Sequence, residues 1–491
     1  MSRRLALLAG SAALILVALF AARPVETPGP LLRDFEAYWG AGATLDAGRD
    51  PYSRAIWNAQ KALPGVDAHR DEVLPFVSPP ATLPFLRAIA RLSYAAAAKL
   101  WWVILGLSLL GLVAVSLRGA SSSLRGASAS LEIGTLLAGV ALAVSFGPAT
   151  SDLALGQIAI LALLAATTLC HPERAPSLAK GAVEGRLVSQ AIASFVAFFQ
   201  PNAAVGLIAL LGRNATTLAI LIGAIATYAV GTLAMGWTWP ATYAAIVSLH
   251  ASVERFSAIQ ITPAAIARGL GASPALAEIV AAACLTAAVI AGIALWRRID
   301  DRFARFAALS ALAPFAATFF HEHDLVVAFP AAVWCAVVTQ GRSRALALAG
   351  TLLVAIDWLG LAQRPTGVAQ SALLAGAAIC AFAALGDDRS AGTTLRAAIP
   401  IALLFAAGAW LATHHPAPVW PDELGNFHAA ASEPIAHVWR QEQERNGLLA
   451  VVPAWAALRA LSLFGCALLA AAIYSRASCR RTASGYPDGT P

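Results

Sequence analysis

Apolar stretches long enough to cross a bilayer recur along almost the whole of this chain. Backbone polar groups inside hydrocarbon have no water to bond to, so only helices and closed barrels can span it. These stretches are blocks of roughly twenty residues, the length a helix needs to cross, and they lack the period-two alternation of a barrel strand. The chain is therefore expected to be all-α, a polytopic transmembrane helical bundle. Its composition agrees: 59% of 491 residues are hydrophobic, 12% are charged and the mean hydropathy is +0.69, which excludes a soluble globule.

The net charge of +7 could suggest nucleic acid, but the arginines sit in short clusters between apolar stretches and form no single basic face. They read as topology signals, and no nucleic-acid partner is expected. Lysine occurs only at Lys61, Lys99 and Lys180, while alanine and arginine abound, which points to a GC-rich bacterial genome. Cys170, Cys284, Cys335, Cys380, Cys466 and Cys479 fall in spans or on the side assigned to the cytoplasm, and none forms a CxxC pair. Neither a disulfide framework nor a cysteine metal site follows.

Arg3 and Arg4 precede an apolar run from Leu5 to Ala22, so residues 1–22 read as a first span leaving the cytoplasm, with a cleaved signal peptide as the competing reading. Residues 23–93 form an extracytoplasmic loop whose end, Ala81 to Tyr94, has the pattern of a helix lying on the membrane surface. A transmembrane bundle follows over residues 94–475. Its spans fall near 94–117, 131–147, 153–170, 215–236, 274–296, 303–320, 325–341, 344–362, 367–386, 397–413 and 448–475, about twelve with the first. Leu187 to Leu211 is apolar but broken by Gln200-Pro201-Asn202, and reads as a re-entrant pair of half-helices.

With that pair, the clusters Arg118/Arg125, Arg174/Lys180/Arg186, Arg297/Arg298/Arg302/Arg305, Arg342/Arg344 and the 476–491 tail share the cytoplasmic side. The opposite side carries loops 23–93, 237–273 and 414–447. Trp39, Trp237, Trp239, Trp358, Trp410, Trp420 and Trp439 fall at or beyond outer span ends, where an aromatic belt anchors a protein to the interface.

Two clusters on the outer side could carry chemistry. Asp34 and Tyr38 follow the first span at i, i+4, so a helix would put them on one face, where a carboxylate could take a proton from a hydroxyl nucleophile. The plainer reading of Asp34 is a helix N-cap in an exposed acidic turn. His321-Glu322-His323-Asp324 is squeezed between two apolar runs and could bind phosphate through imidazolium, or a metal if distant loops supplied more ligands; a polar hairpin is the alternative. Gly156-Gln157 opens a span, and Gln200-Pro201 marks the break in the re-entrant pair. Such polar groups face a cavity or act as glue between helices. Asp357 with Arg364 reads as a helix-end pair, and the sequon at Asn214 is discounted because it falls on the cytoplasmic side.

Taken in order, these pieces resemble glycosyltransferase family 87, polyprenyl-phosphate-mannose-dependent enzymes of the GT-C superfamily. The resemblance runs over roughly residues 1 to 370. It rests on Asp34, Tyr38, Gly48, Pro51-Tyr52, Phe76 to Pro80, Leu83-Pro84, Trp101, Gly156-Gln157, Gln200-Pro201 and His323-Asp324. Ser78 stands where the family often has an aromatic, Ala159 where asparagine is frequent, and Gln200 where lysine is usual.

The resemblance implies a GT-C type bundle in the bacterial plasma membrane with its active site facing outward, needing neither metal nor cofactor. A sugar, mannose by family habit, would pass with inversion from a polyprenyl-phosphate donor to a glycolipid or glycan acceptor, membrane lipids surrounding the reaction. Asp34 would be the catalytic base. Tyr38, Tyr52, Gln157, Gln200, His321, His323 and Asp324 would bind substrate, with Arg255 as a further candidate. Two rivals stand beside it: a secondary transporter or lipid flippase, and a non-catalytic subunit of envelope assembly.

Overall fold

The structure, a computed structural model, describes residues 3–21, 32–124, 132–170, 180–212, 214–363, 367–386 and 391–484. Among them every regular element is helical. Helix α1 (Arg3–Ala21) precedes α2 (Phe35–Asp46), which lies in the first of the three segments expected on the outer side, and α3 (Tyr94–Ser122) follows that segment. Next come α4 (Ile133–Val144), α5 (Gly147–Leu155), α6 (Ala159–Thr168), α7 (Lys180–Ala197) and α8 (Asn214–Met235). The second outer segment carries α9 (Trp239–Glu254). It leads to α10 (Pro274–Arg298), α11 (Arg302–Ala316), α12 (Phe329–Val338) and α13 (Gly341–Ala355). The chain closes with α14 (Gly367–Leu385), α15 (Ala391–His414), α16 (Ile435–Arg445) in the third outer segment, and α17 (Pro453–Ser484).

Six of these helices, α3, α8, α10, α14, α15 and α17, are long and apolar enough to cross a bilayer among the described residues, and α4 with α5 makes a seventh if that bent pair is one span. The sequence pattern suggested about twelve. Part of the difference lies in short or broken segments: α11 and α13 have fifteen residues each, α4 and α5 meet at 70°, α6 has ten residues, and the segment from His323 to Val338 begins as a 3-10 turn. Residues 317–322 and 356–357 leave the helical path altogether, so apolar runs that look continuous in the sequence are interrupted in space. The break anticipated at Gln200 is present, with α7 ending at Ala197 and a short helix restarting at Pro201.

The core has a simple plan. Almost all of α12 is buried, and α3, α11, α13 and α17 pack around it with alanine, leucine and phenylalanine. Small side chains bring the helices close, as in membrane bundles generally. By contrast α10 buries only Ala277 and Leu295; one side leans on α11, and most of its remaining apolar residues are exposed, as hydrocarbon would require. α1 lies along α14, where Ser11 Oγ donates to the Ala377 carbonyl at 3.0 Å.

The outer segments fold into a roof and not into loose loops. Leu83, Leu86 and Ile89 of the short helix Leu83–Ile89 turn inward while Phe85 and Arg87 face out, the amphipathic division anticipated for this stretch. The third outer segment clasps the first: Asp71 N donates to the Phe427 carbonyl at 2.7 Å, and Ala429 N donates to Asp71 Oδ2 at 2.7 Å. Val73 N donates to Glu442 Oε1 at 2.9 Å.

This roof alters the belt reading of the tryptophans. Trp237 and Trp410 are 74% and 58% exposed, as anchors are, but Trp358, Trp420 and Trp439 are drawn into the protein, Trp439 being only 6% exposed. Their indole N–H groups have internal partners, so burial costs them no hydrogen bond.

Arg344 departs from its topology reading in the same way. It is fully buried, and its guanidinium donates to the carbonyls of Ala336 and Phe382 at 2.8 Å and to Thr394 Oγ1 at 3.0 Å, tying the ends of three helices. Helix-end carbonyls lack intrahelical partners, so one arginine here serves several. Arg344→Leu strands those acceptors at a cost of about 1–3 kcal/mol each. A thermal melt of purified protein should drop by several degrees, whereas Arg342→Leu, at the exposed neighbouring site, should shift it little.

Candidate functional site

Two left-handed backbone positions face each other at the centre of the site. Gly156 ends α5 with φ +80°, and Leu32 precedes α2 with φ +57°. A Cβ on Gly156 would lie 2.9 Å from the Cβ atoms of both Leu32 and Phe35, so only glycine permits this approach. Leu32 bears strain worth about 1–3 kcal/mol, and its carbonyl is held by Phe35 N at 2.9 Å and Tyr94 OH at 3.1 Å. The contact is locked by Asp34 N donating to the Leu155 carbonyl at 2.9 Å and Trp101 Nε1 donating to the Gly156 carbonyl at 2.7 Å.

The residue after Gly156 is thereby pressed against α2. Gln157 Nε2 donates to Asp34 Oδ2 at 2.6 Å, and Gln157 Oε1 accepts from Tyr38 OH at 2.5 Å. Asp34 occupies the N-cap position of α2 yet makes no side-chain capping bond, so its carboxylate is committed to Gln157 and the cavity. Glu36 does not lie in an exposed turn. It is buried 3.3 Å from Arg33, and burial pushes its carboxyl up to about 8.

The histidine turn is organised by Asp324. Its Oδ1 accepts from Gln200 Nε2 at 2.6 Å, and its Oδ2 accepts from His321 N at 3.0 Å. Asn202 Nδ2 donates to the Phe319 carbonyl at 3.2 Å. The broken segment at Gln200-Pro201 thus braces the turn from the side.

A third group escaped the sequence reading. Glu254, the last residue of α9, is buried with its Oε2 3.0 Å from His321 Nε2, and it accepts from Trp439 Nε1 and Gln260 Nε2. Gln260 is placed by a buried arginine: Arg459 Nη1 of α17 donates to the carbonyls of Ser257, Ala258 and Gln260, the first and last at 3.0 Å. The available signal was His250 and Glu254 at i, i+4 in an otherwise apolar helix. Asp152 was missed as well. It is buried, and its backbone carbonyl accepts from Gly156 N and Gln157 N, which shapes the turn.

These elements enclose a cavity of about 730 Å³ lined by Asp34, Tyr38, Gln157, Gln200, His321, His323 and Asp324, with Glu254, Asp357, Trp420 and Trp439 also in its walls. Seven of the eight anticipated residues meet there. Tyr52 does not: it is buried beside Phe76 and Tyr243, donates to the Ser78 carbonyl at 2.6 Å, and lines a neighbouring cavity of about 390 Å³. Arg255 also stands apart, paired with Glu278 at 2.6 Å. Arg364 lies outside the described residues.

Among the described arginine and lysine residues only Arg33 borders the larger cavity, and it is pinned by Glu72 at 2.7 Å and stacked over Trp420 at 4.3 Å. Positive charge for a ligand therefore falls to histidine. Burial works against the His321 imidazolium, but the Glu254 carboxylate outweighs it, Asp324 and Asp34 add to it, and the pKa ends above the ordinary histidine value. Burial likewise pushes Glu254 upward, and the His321 charge with the hydrogen bonds from His321 and Trp439 brings it below the usual carboxylate range. Both directions describe a charged pair.

Donor atoms of His321, His323 and Asp324 lie within 4.8 Å of one another.

The pair makes stability depend on pH in a defined sense. With its folded pKa raised, His321 contributes fully below the ordinary value of about 6.5, and the contribution is lost as pH rises through the folded value. Glu254, held low, contributes above the usual carboxylate range and loses its share as pH falls through its own folded value. The melting temperature of Glu254→Gln should accordingly fall furthest below wild type near pH 6, and the gap should shrink as pH rises through the His321 titration. A gap independent of pH would mean that the two groups are not a charged pair.

Compared with protein-family models, curated proteins and solved structures, the chain matches none, so the site is read from its own chemistry.

Proposed function

We propose that this protein is an integral membrane glycosyltransferase that moves a sugar, mannose by family habit, from a polyprenyl-phosphate donor to a glycolipid or glycan acceptor on the extracytoplasmic side. One observation carries the reading: a carboxylate, a charged histidine turn and two carboxamides from separate elements line one cavity. Asp34 is the general base. Gln157 engages Oδ2, which leaves Oδ1 for an acceptor hydroxyl, and Tyr38 fixes the Gln157 amide. As the hydroxyl attacks the anomeric carbon, its proton passes to Asp34, and the bond to the phosphate oxygen breaks with inversion.

The leaving group is already a phosphate anion and needs little acid assistance, so one carboxylate suffices where a glycoside hydrolase uses two. His321 as imidazolium, His323, and the amides of Gln157 and Gln200 are the phosphate donors, which offsets the absence of a lysine at position 200. Tyr52 supports the wall from behind through Ser78. Burying an isoprenoid gains about 0.8 kcal/mol per CH2 equivalent, so the donor tail belongs in the bilayer. The reading includes a GT-C type bundle of about twelve spans with the broken segment at Gln200 as a re-entrant pair, seated in a bacterial plasma membrane and serving the cell envelope without metal or cofactor.

The test is transfer of labelled sugar from polyprenyl phosphate by purified protein. Asp34→Asn keeps size and an oxygen for Gln157 while removing the base, and should lower transfer by about 10² to 10⁴ fold with the melting temperature preserved. Glu36→Gln, buried away from the cavity, should keep most activity. Near wild-type transfer by Asp34→Asn would displace the base from this residue, and an inactive wild type would turn the reading toward transport or assembly.

A further inference from the structure

His250 has no place in the chemistry above, yet it is the residue the two cavities share. It lies on α9 one turn before Glu254, is 2% exposed, and its Nε2 has no hydrogen-bond partner. A buried ring nitrogen without a partner costs free energy unless a ligand completes it. We propose that His250 reads a hydroxyl of the acceptor in a carbohydrate subsite at the junction of the two cavities, the smaller of which takes a neutral pyranose; this rests on the glycosyl-transfer reading.

Three features favour a neutral sugar over an anion or an apolar ligand. Burial holds His250 down at about 4 against the pull of Glu254, so at neutral pH the ring is uncharged, with one nitrogen donating and one accepting, as a hydroxyl requires. The anion-binding charge is located instead on His321. The smaller cavity is also two-natured: Ile246, Leu249 and Ile435 give it an apolar side, and Arg54 and Glu433 a polar one. A pyranose has the same division between its C–H face and its hydroxyl rim, and about 390 Å³ lies within the usual range of small-ligand pockets.

The position selects acceptor over donor. Every wall of the smaller cavity comes from an outer segment, with Tyr52 to Arg54 from the first, α9 from the second and residues 431–436 from the third. None comes from a span-length helix. The polar wall is also rigid, because Arg54 pairs with Asp71 and donates to the carbonyls of Ala429, at 3.2 Å, and Ala430. A ligand arriving from water meets this cavity, while a lipid-borne donor meets the Gln200 and His321 side.

The experiment uses the full chain in phospholipid nanodiscs, since glycoside detergents would compete. Saturation-transfer NMR measures binding of methyl α-mannoside, methyl α-glucoside and methyl α-galactoside. At least one should bind wild type, and His250→Phe should weaken it tenfold or more. Ala431→Trp, which plugs the cavity from an exposed rim position and spares the core, should abolish it. In the transfer assay His250→Phe should raise the acceptor KM about tenfold while the donor KM stays. No binding by wild type, or binding unchanged in both variants, overturns the subsite. Glycoside binding that depends on His250 in a protein that transfers no sugar would sustain the subsite and remove the glycosyltransferase reading.

Discussion

The contact between the left-handed end of α5 and the start of α2 is what the rest of the site depends on. Gly156 and Leu32 both adopt positive φ, and their backbones meet where any side chain on Gly156 would collide. Because that approach is close, a carboxamide and a carboxylate 123 residues apart in the chain come within 2.6 Å. A polar pair of this kind would be costly in the apolar interior unless each member were satisfied. Here Gln157 satisfies two partners at once, which holds the carboxylate in one orientation before any ligand arrives.

A second constraint runs through buried arginines. Arg344 gathers helix-end carbonyls at one place in the bundle, and Arg459 gathers the carbonyls of Ser257, Ala258 and Gln260 near the roof. Each guanidinium is buried and donates to several backbone oxygens, a geometry its planar fork suits. Through Arg459 the last long helix fixes Gln260, Gln260 fixes Glu254, and Glu254 sets the charge of His321. The electrostatics of the cavity are therefore anchored in α17, far along the chain from the residues that face a ligand.

Much of this was legible in the sequence, and the remainder has identifiable causes. The helical, membrane-embedded character follows from the length and apolarity of the runs. Asp34, Gln157, Gln200 and the histidine turn stand out because polar residues at the ends of apolar runs are conspicuous. The number of span-length helices was not legible, since hydropathy does not register where a helix bends or unwinds, as at 145–146 and 317–322. Glu254, Trp439 and Arg459 were hidden for a different reason: each looks like an ordinary interfacial or helix-end residue until the roof folds over it. Tyr52 shows the reverse, a residue prominent in a motif that proves to sit behind the wall.

The clasp between the first and third outer segments brings a late stretch of the chain onto the walls of both cavities. Asp34, Gln157 and the histidine turn all lie within the first 324 residues, whereas Trp420, Trp439 and residues 431–436 come from a stretch about a hundred residues further on. Asp71, Glu442 and the backbone of Phe427 and Ala429 are among the anchors of that stretch, as are Trp439 on Glu254 and Trp420 under Arg33, and the positions between these anchors can diverge while the cavity is kept. Under the proposed transfer reaction, lineages that inherit the same bond-making step can acquire different clientele by rewriting a few dozen residues between 414 and 447.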